Sequence, residues 1–547
     1  MKIEQTLSNP ILTGFYPDPS ICRVNDDFYL VTSSFELFPG VPIFHSTDLA
    51  NWEQIGHVLD RKSQLHLEAG SFHTGIFAPT IRYNNGVFYL ITTNLCDKGN
   101  FIVTATNPAG PWSEPHWLEN AVGIDPSLFF DDDGKAYYSG TRMLLNEDGD
   151  WIGSEIWLSE INLVNMCLVG EKIGLWKGAL CNAASPEAPH LYKKDGYYYL
   201  MIAEGGTEHF HAVTIARSEQ IFGEYEGFQG NPIMTHRHLG KMYPISNVGH
   251  ADLVELKNGD WYMVMLGSRL IEGYHKNLGR ETFIAPVVWE DGWPVVSPGS
   301  GNIDWSYPAP QLPELTPKPL TTRDDFNGNR LDFQWVSMGT PYQDFYTLAN
   351  SKLVLKLVPR SMCSELKQVG FELSKTPDMD DNCLGFIGRR QTSESFSILA
   401  KMDFQANSEN ETAGIVMMQA FNHQFRLERS MEAGKQLIRL MQSTTSYQGK
   451  QWMPGFQSTT SEIVLAKEVV DSFDICLKIE SRGQTIDFYY GSSEDSLQLL
   501  FRNADGRLLN PEIVGGMVGT MLGMFASSNG SASNNSASFE WFEYHQL

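Results

Sequence analysis

Asp195-Gly196-Tyr197-Tyr198-Tyr199-Leu200 is a tight turn running into an aromatic strand, and the chain repeats that pattern. The other copies are Asn25-Asp26-Asp27-Phe28-Tyr29-Leu30, Asn85-Gly86-Val87-Phe88-Tyr89-Leu90, Asp133-Gly134-Lys135-Ala136-Tyr137-Tyr138 and Asn258-Gly259-Asp260-Trp261-Tyr262-Met263. Four of the five open on Asn-Gly or Asp-Gly, whose residues tolerate positive φ at both centres of a two-residue hairpin loop. With Tyr29, Tyr89, Tyr138, Tyr198 and Tyr262 as markers, the spacings are 60, 49, 60 and 64 residues. A second element precedes each turn: Asp18-Pro19-Ser20-Ile21, Ala78-Pro79-Thr80-Ile81, Asp125-Pro126-Ser127-Leu128, Ala188-Pro189-His190-Leu191 and Ala251-Asp252-Leu253-Val254. A repeat of about 50–60 residues made of short strands is the signature of a propeller blade, so five units predict five blades. A large sandwich of unrelated hairpins is the plainer alternative. The doubled register, a Pro-containing strand and then a Tyr-containing one, argues against it.

The pattern ends near residue 306. Pro308, Pro310, Pro313, Pro317 and Pro319 make 307–320 an extended linker. Asp324-Asp325-Phe326 then opens a second all-β region with strand patterns at 396–404, 475–479 and 486–490. The expected organisation is a propeller over 1–306, a Pro-rich linker over 307–320 and a β-sandwich over 321–547. Ser527–Ser538 is polar and reads as a connection.

Composition narrows the partners. Lys+Arg 40 against Asp+Glu 65 gives a net charge of −25, which argues against nucleic acid and against an anionic membrane surface. No apolar run is long enough to span a bilayer, and the first ten residues lack the apolar stretch of a signal peptide. The seven cysteines, 22, 96, 167, 181, 363, 383 and 476, include no CxxC and read as reduced thiols. A cytoplasmic protein is the expectation. Aromatic residues are 12% of the chain, enough to line a pocket with flat rings.

The first strand of each blade lines the propeller axis, so residues at one phase converge. Just before the Pro stand Asp18, Ala78, Asp125 and Ala188; one place earlier stand Pro17, Phe77, Ile124, Glu187 and His250. A single Asp-Pro is a common turn former. Three acids from three blades at the axis are costly unless solvated or used. Two carboxyl groups across an aromatic pit are what glycoside hydrolysis requires: one protonated to donate to the leaving oxygen, one ionised to activate water. A third carboxylate beside the acid would hold its proton by like-charge repulsion.

These motifs resemble glycoside hydrolase family 43. Phe15-Tyr16-Pro17-Asp18-Pro19-Ser20, Gly123-Ile124-Asp125-Pro126-Ser127 and Ser185-Pro186-Glu187-Ala188-Pro189 are similar to its three acid motifs. Gly249-His250-Ala251-Asp252 and Gly279-Arg280 resemble two further signatures. Asp324-Asp325-Phe326 and Phe539-Glu540-Trp541-Phe542-Glu543-Tyr544 resemble the ends of the concanavalin-like sandwich of its β-xylosidase branch. The resemblance implies Asp18 as general base, Glu187 as general acid and Asp125 as the residue that orients Glu187 and tunes its pKa. It implies Arg280, Phe35, Phe77 and His250 around the sugar, and a sandwich loop, 515–519, at the pocket mouth. No cofactor is required for the chemistry. Calcium, structural or axial, enters only as an expectation at His250 and at Asp325.

The activity so implied is inverting and exo-acting, releasing xylose from the non-reducing end of β-1,4-xylooligosaccharides, with α-L-arabinofuranosidase activity beside it. The partner is a small oligosaccharide, and a homo-oligomer fits the resemblance. Three rivals stand against this reading: an enzyme that is mainly an α-L-arabinofuranosidase on arabinoxylan fragments, a fructan-cleaving enzyme of similar shape, and a non-catalytic carbohydrate-binding propeller. The fructan-cleaving pattern departs from the Tyr-Pro-Asp-Pro and Ser-Pro-Glu-Ala-Pro contexts seen here.

Overall fold

The computed structural model describes residues 6–69, 74–148, 151–180, 185–317, 321–363, 384–448, 457–472, 474–515 and 517–547. Cys181, Pro319, Leu320, Cys383 and Gly516, used above, lie outside the described residues. Five four-stranded antiparallel sheets follow one another along the chain. Blade 1 is made of Ser20–Val24, Asp27–Val31, Gly40–Ser46 and Glu53–Leu59. The first strands of blades 2 to 5 are Thr80–Asn84, Ile124–Phe130, Glu187–Lys194 and Ile245–Glu255. Each first strand lies beside the next, and that of blade 5 returns to blade 1, which closes the ring. The fold is therefore the expected five-bladed propeller followed by a β-sandwich.

The tight turns are of two kinds. At Asn85-Gly86 and Asp195-Gly196 both residues have positive φ and the flanking residues pair directly, as a two-residue hairpin demands. At Asp133-Gly134 and Asn258-Gly259 only the glycine has positive φ. There the N–H of Asp131 bonds the carbonyl of Lys135, and that of Leu256 the carbonyl of Asp260, so the loop is longer than the dipeptide suggests.

Two short pairings tie the chain together. Thr6–Ser8 pairs antiparallel with Ser306–Pro308, so the first two residues of the Pro-rich stretch belong to the propeller. The stretch then straps blade 1: Thr47 Oγ1 donates to the carbonyl of Pro313, and the N–H of Leu315 donates to Asp48. Ser337–Met338 pairs with Leu37–Phe38 of the propeller.

The sandwich consists of an eight-stranded and a six-stranded sheet. Its C-terminal strand, Ser536–Gln546, lies between Leu353–Lys356 and Ser395–Asp403 within the larger sheet. Thr412–Ala420 is buried along its whole length because both its faces are covered. Ala413, Ile415 and Met417 enter the sandwich core, while Val416, Met418 and Ala420 face the propeller. That second face joins Phe15, Phe35 and Phe77 in one apolar seam between the domains. At about 1.5–3 kcal/mol per buried large side chain, the seam is a substantial contribution to holding them together. No helix among the described residues is long and apolar enough to cross a membrane.

Candidate active site

Strand pairing fixes which residues reach the axis at one level. Ser20, Thr80, Ser127, His190 and Asp252 occupy equivalent places, opposite Val31, Ile91, Ser139, Met201 and Val264. Two residues earlier stand Asp18, Ala78, Asp125, Ala188 and His250. His250 therefore shares the phase of Asp18 and Asp125, one place away from the phase it has beside Glu187 in the sequence alignment. The cause is a missing marker: blade 5 carries Ala251 where the other blades carry Pro19, Pro79, Pro126 and Pro189. Blades 3, 4 and 5 break register at Ile124/Ser127, Glu187/His190 and Ser246/Gly249, with a further break at Gly249/Ala251. Asp18, Asp125, Ala188 and His250 all adopt left-handed φ, between 46° and 55°. A bulge kinks the strand and re-aims its side chains, which turns the carboxyl groups into the axial pit.

Asp18 is buried and fully engaged. Arg280 Nη1 donates to Oδ1 at 2.8 Å, Ser33 Oγ donates to Oδ2 at 2.6 Å, and His250 Nδ1 stands 3.6 Å away. Burial alone would raise its pKa; the Arg280 guanidinium, with His250 and the Ser33 hydroxyl, outweighs burial and holds it below the ordinary carboxylate value. Asp125 and Glu187 go the other way. Burial, then the charge of Asp18, pushes Glu187 up to about 7, although part of its surface still reaches solvent. Asp125 is also pushed well up, by burial and then by Glu187 and Asp18. The two behave as a pair that retains a proton near neutral pH. Burial is the larger cause, ahead of the like-charge repulsion expected from sequence. Asp125 also accepts the backbone N–H of Ala188, so it fixes the main chain next to Glu187.

The aromatic wall is Phe15, Phe35 and Phe77, with ring centroids 5.7 and 5.2 Å apart in sequence. The Arg280 guanidinium lies 5.4 Å from the Phe35 centroid. Arg280 also donates to Thr207 Oγ1 at 3.0 Å and to the carbonyl of Met517 at 3.3 Å, so the sandwich loop does reach the site. Gly279 explains its motif: a Cβ there would lie 2.8 Å from the Cα of Gly519, and its φ is +79°. Sequence reading placed Asp18, Asp125, Glu187, Arg280, Phe35, Phe77 and His250, which the structure brings together. It missed Ser33, Thr207 and His211, whose only signal is a fold-dependent proximity, and Phe15 as a wall residue.

The axis beneath His250 is filled by Arg82. Its guanidinium makes a paired contact with Asp252, at 2.8 and 3.1 Å, and donates to His190 Nδ1 at 2.9 Å. Asp252 accepts further bonds from Ser20 Oγ and Tyr192 OH and is held far below the ordinary carboxylate value despite burial. Calcium needs several free oxygen ligands. Of the carboxylates nearest His250, Asp18 is committed to Arg280 and Asp252 to Arg82, and His250 itself offers a nitrogen, so this set does not fit that ion. Asp325 pairs with Arg323 at 2.8 Å in an open cleft of about 620 Å³ on the sandwich. No cluster of three His, Cys, Asp or Glu suited to a metal occurs among the described residues.

An ionised carboxylate beside a buried carboxyl pair of raised pKa, next to aromatic rings at a propeller axis, is the arrangement of a glycoside hydrolase. Comparison with known proteins gives the family. Residues 7–294 match Glycosyl hydrolases family 43, and residues 323–545 match the Beta xylosidase C-terminal Concanavalin A-like domain. The chain belongs to glycosyl hydrolase family 43. It is 46% identical over 548 residues to a xylosidase/arabinosidase of Butyrivibrio fibrisolvens, covering 99% of each chain. It is 37% identical to a non-reducing end alpha-L-arabinofuranosidase of Bacteroides ovatus, covering 100% of this chain and 96% of the relative. The solved structure of a xylan beta-1,4-xylosidase from Bacillus halodurans C-125 superposes with a TM-score of 0.86 at 32% identity, covering 99% of this chain and 100% of that one.

Proposed function

We propose that this hydrolase is exo-acting and inverting, releasing xylose from the non-reducing end of β-1,4-xylooligosaccharides, with α-L-arabinofuranosidase activity in the same pocket. The observation that carries the reading is the split in protonation: Asp18 kept ionised by Arg280, and Glu187 kept protonated up to about pH 7. In the proposed reaction Asp18 takes a proton from a water that attacks the anomeric carbon. Glu187 gives its proton to the glycosidic oxygen, the carbon–oxygen bond breaks, and the leaving sugar departs as an alcohol. Asp125 holds the backbone beside Glu187. The sandwich, through Met517 and the apolar seam, walls one side of the mouth, which favours trimming from a chain end.

The two named relatives support a pocket that takes both a xylopyranoside and an arabinofuranoside, sugars of similar outline. A panel of aryl β-xylosides, aryl α-arabinofuranosides and xylooligosaccharides tests the reading. Xylose from xylobiose, first seen as the α-anomer by NMR, is the expected result; the β-anomer would mean retention. Among the described residues no His, Cys, Asp and Glu cluster suits a metal, so chelation by EDTA is expected to leave the rate unchanged.

A further inference from the structure

The stretch 246–251 carries His250, yet the sheet pairs it only at Ser246, Gly249 and Ala251. Register breaks on both sides of Gly249, and Asn247 and His250 both have left-handed φ, 63° and 46°. A doubly bulged stretch lacks a regular ladder, so side chains must fix it instead. Two do. His211 Nδ1 lies 3.0 Å from the carbonyl of Asn247; a carbonyl only accepts, so Nδ1 carries the proton. The His211 ring lies flat on Gly249, where a Cβ would stand 2.5 Å from ring atoms. On the other side, Lys276 Nζ donates to Asn247 Oδ1 at 3.2 Å, and Ser246 Oγ donates to the same oxygen at 3.1 Å.

Lys276 is itself almost fully buried, with 2% of its side chain exposed, and its charge is met from the other domain. Its ammonium pairs with Glu512 of the sandwich and lies 4.1 Å from the Tyr274 ring centroid. Its backbone N–H donates to Asn510 Oδ1 at 2.9 Å. A buried ammonium is costly and persists only where it is paired and bonded. Here one amine touches a sandwich carboxylate at one end and the bulge at the other.

We propose that Lys276 is a positioning residue: anchored by Glu512, it fixes the Asn247 carboxamide and thereby the left-handed turn that aims His250 at Asp18. The link rests on the hydrolytic reading of Asp18 given above. A role confined to joining the domains would lower stability and leave turnover alone.

The test compares wild type, K276M, N247G, the double variant and E512Q on an aryl β-xyloside and an aryl α-arabinofuranoside, with Tm measured for each. Glycine at 247 keeps the positive φ and deletes only the carboxamide. K276M and N247G should each lower kcat about 10–100-fold with KM changed less than about threefold, the range expected when the group set against the reacting Asp18 is displaced by a fraction of an ångström to one. The double variant should be no worse than the poorer single one, because both act through one contact. E512Q should show a smaller loss of the same kind. Wild-type kcat in K276M, or losses that multiply in the double variant, would overturn the proposal. Should K276M not fold, wild-type kcat in N247G overturns it equally. Activity of wild type on neither sugar would overturn the hydrolytic reading and the proposal together, whereas an active wild type with an unaffected K276M removes the proposal alone.

Discussion

Glu187 and Asp18 are both carboxylic acids set among protein atoms, and what separates them is one guanidinium. Arg280 bonds Asp18 directly; on Glu187 its charge is outweighed by burial and by the field of Asp18. Activity should therefore fall on the alkaline side as pH rises through about 7, where Glu187 loses its proton, and on the acid side only below the ordinary carboxylate range. Stability follows the same shifts. A raised folded pKa means the native state binds more protons than the unfolded one between 4.5 and about 7, so the Glu187 contribution declines as pH rises through that window. Asp18 has the opposite sign: its contribution is present above 3.8 and is lost as pH falls below it. E187Q removes the first term, and its Tm should exceed that of wild type at pH 8, with the gap closing at pH 5 in paired melts. The same variant should hydrolyse xylobiose about 10²–10⁴-fold more slowly, yet retain most activity on aryl glycosides with very acidic leaving groups, which need no proton. Equal losses on both would remove Glu187 from the acid role. At this scale the sequence was informative where a residue carries its motif with it, as Asp18, Asp125 and Arg280 do. Ser33 and His211 were invisible because they are ordinary residues until the ring closes.

At the scale of the element, the bulge is the device that makes a strand into a site. The Gly that opens the Asp125 motif is part of it. A Cβ at Gly123 would lie 1.5 Å from the carbonyl oxygen of Thr141, and the φ there is +92°. Neither problem can be relieved by a side chain turning away. G123A should therefore cost about 1–3 kcal/mol, read as a lower midpoint in urea, and should reduce kcat because the displaced strand carries Asp125. A variant with unchanged midpoint and rate would mean that blade 3 tolerates a shift we hold to be closed. The repeat of turns gave the blades, because period and Gly chemistry are local properties. The one-residue offset of His250 was not legible, since Ala251 stands where the other blades carry the Pro that marks the phase.

Across the whole molecule, the pit is walled by two domains that neither period nor composition connects. Phe15, Phe35 and Phe77 stand in the propeller, and Val416, Met418 and Phe525 cover them from the sandwich. A fragment ending at residue 317 should expose that seam, bind a hydrophobic dye and lack hydrolytic activity, even with all three acids present; assay of the fragment against full-length protein checks it. Full activity from the fragment would mean that the seam only glues. The presence of two domains and the stretch between them were legible from the Pro cluster and the change of pattern. Their joint wall was not, because burial on both faces of Thr412–Ala420 reads simply as an apolar strand.

The place of Ser536–Gln546, flanked on both sides within the larger sheet, sets an order in time as well as in space. A ribosome that has yet to deliver those residues has made every carboxyl group of the pit, but not the strand around which the covering sheet assembles. Catalytic competence should thus wait until Ser536–Gln546 has been made, and a stop codon at position 536 should be as damaging as one that removes half the sandwich.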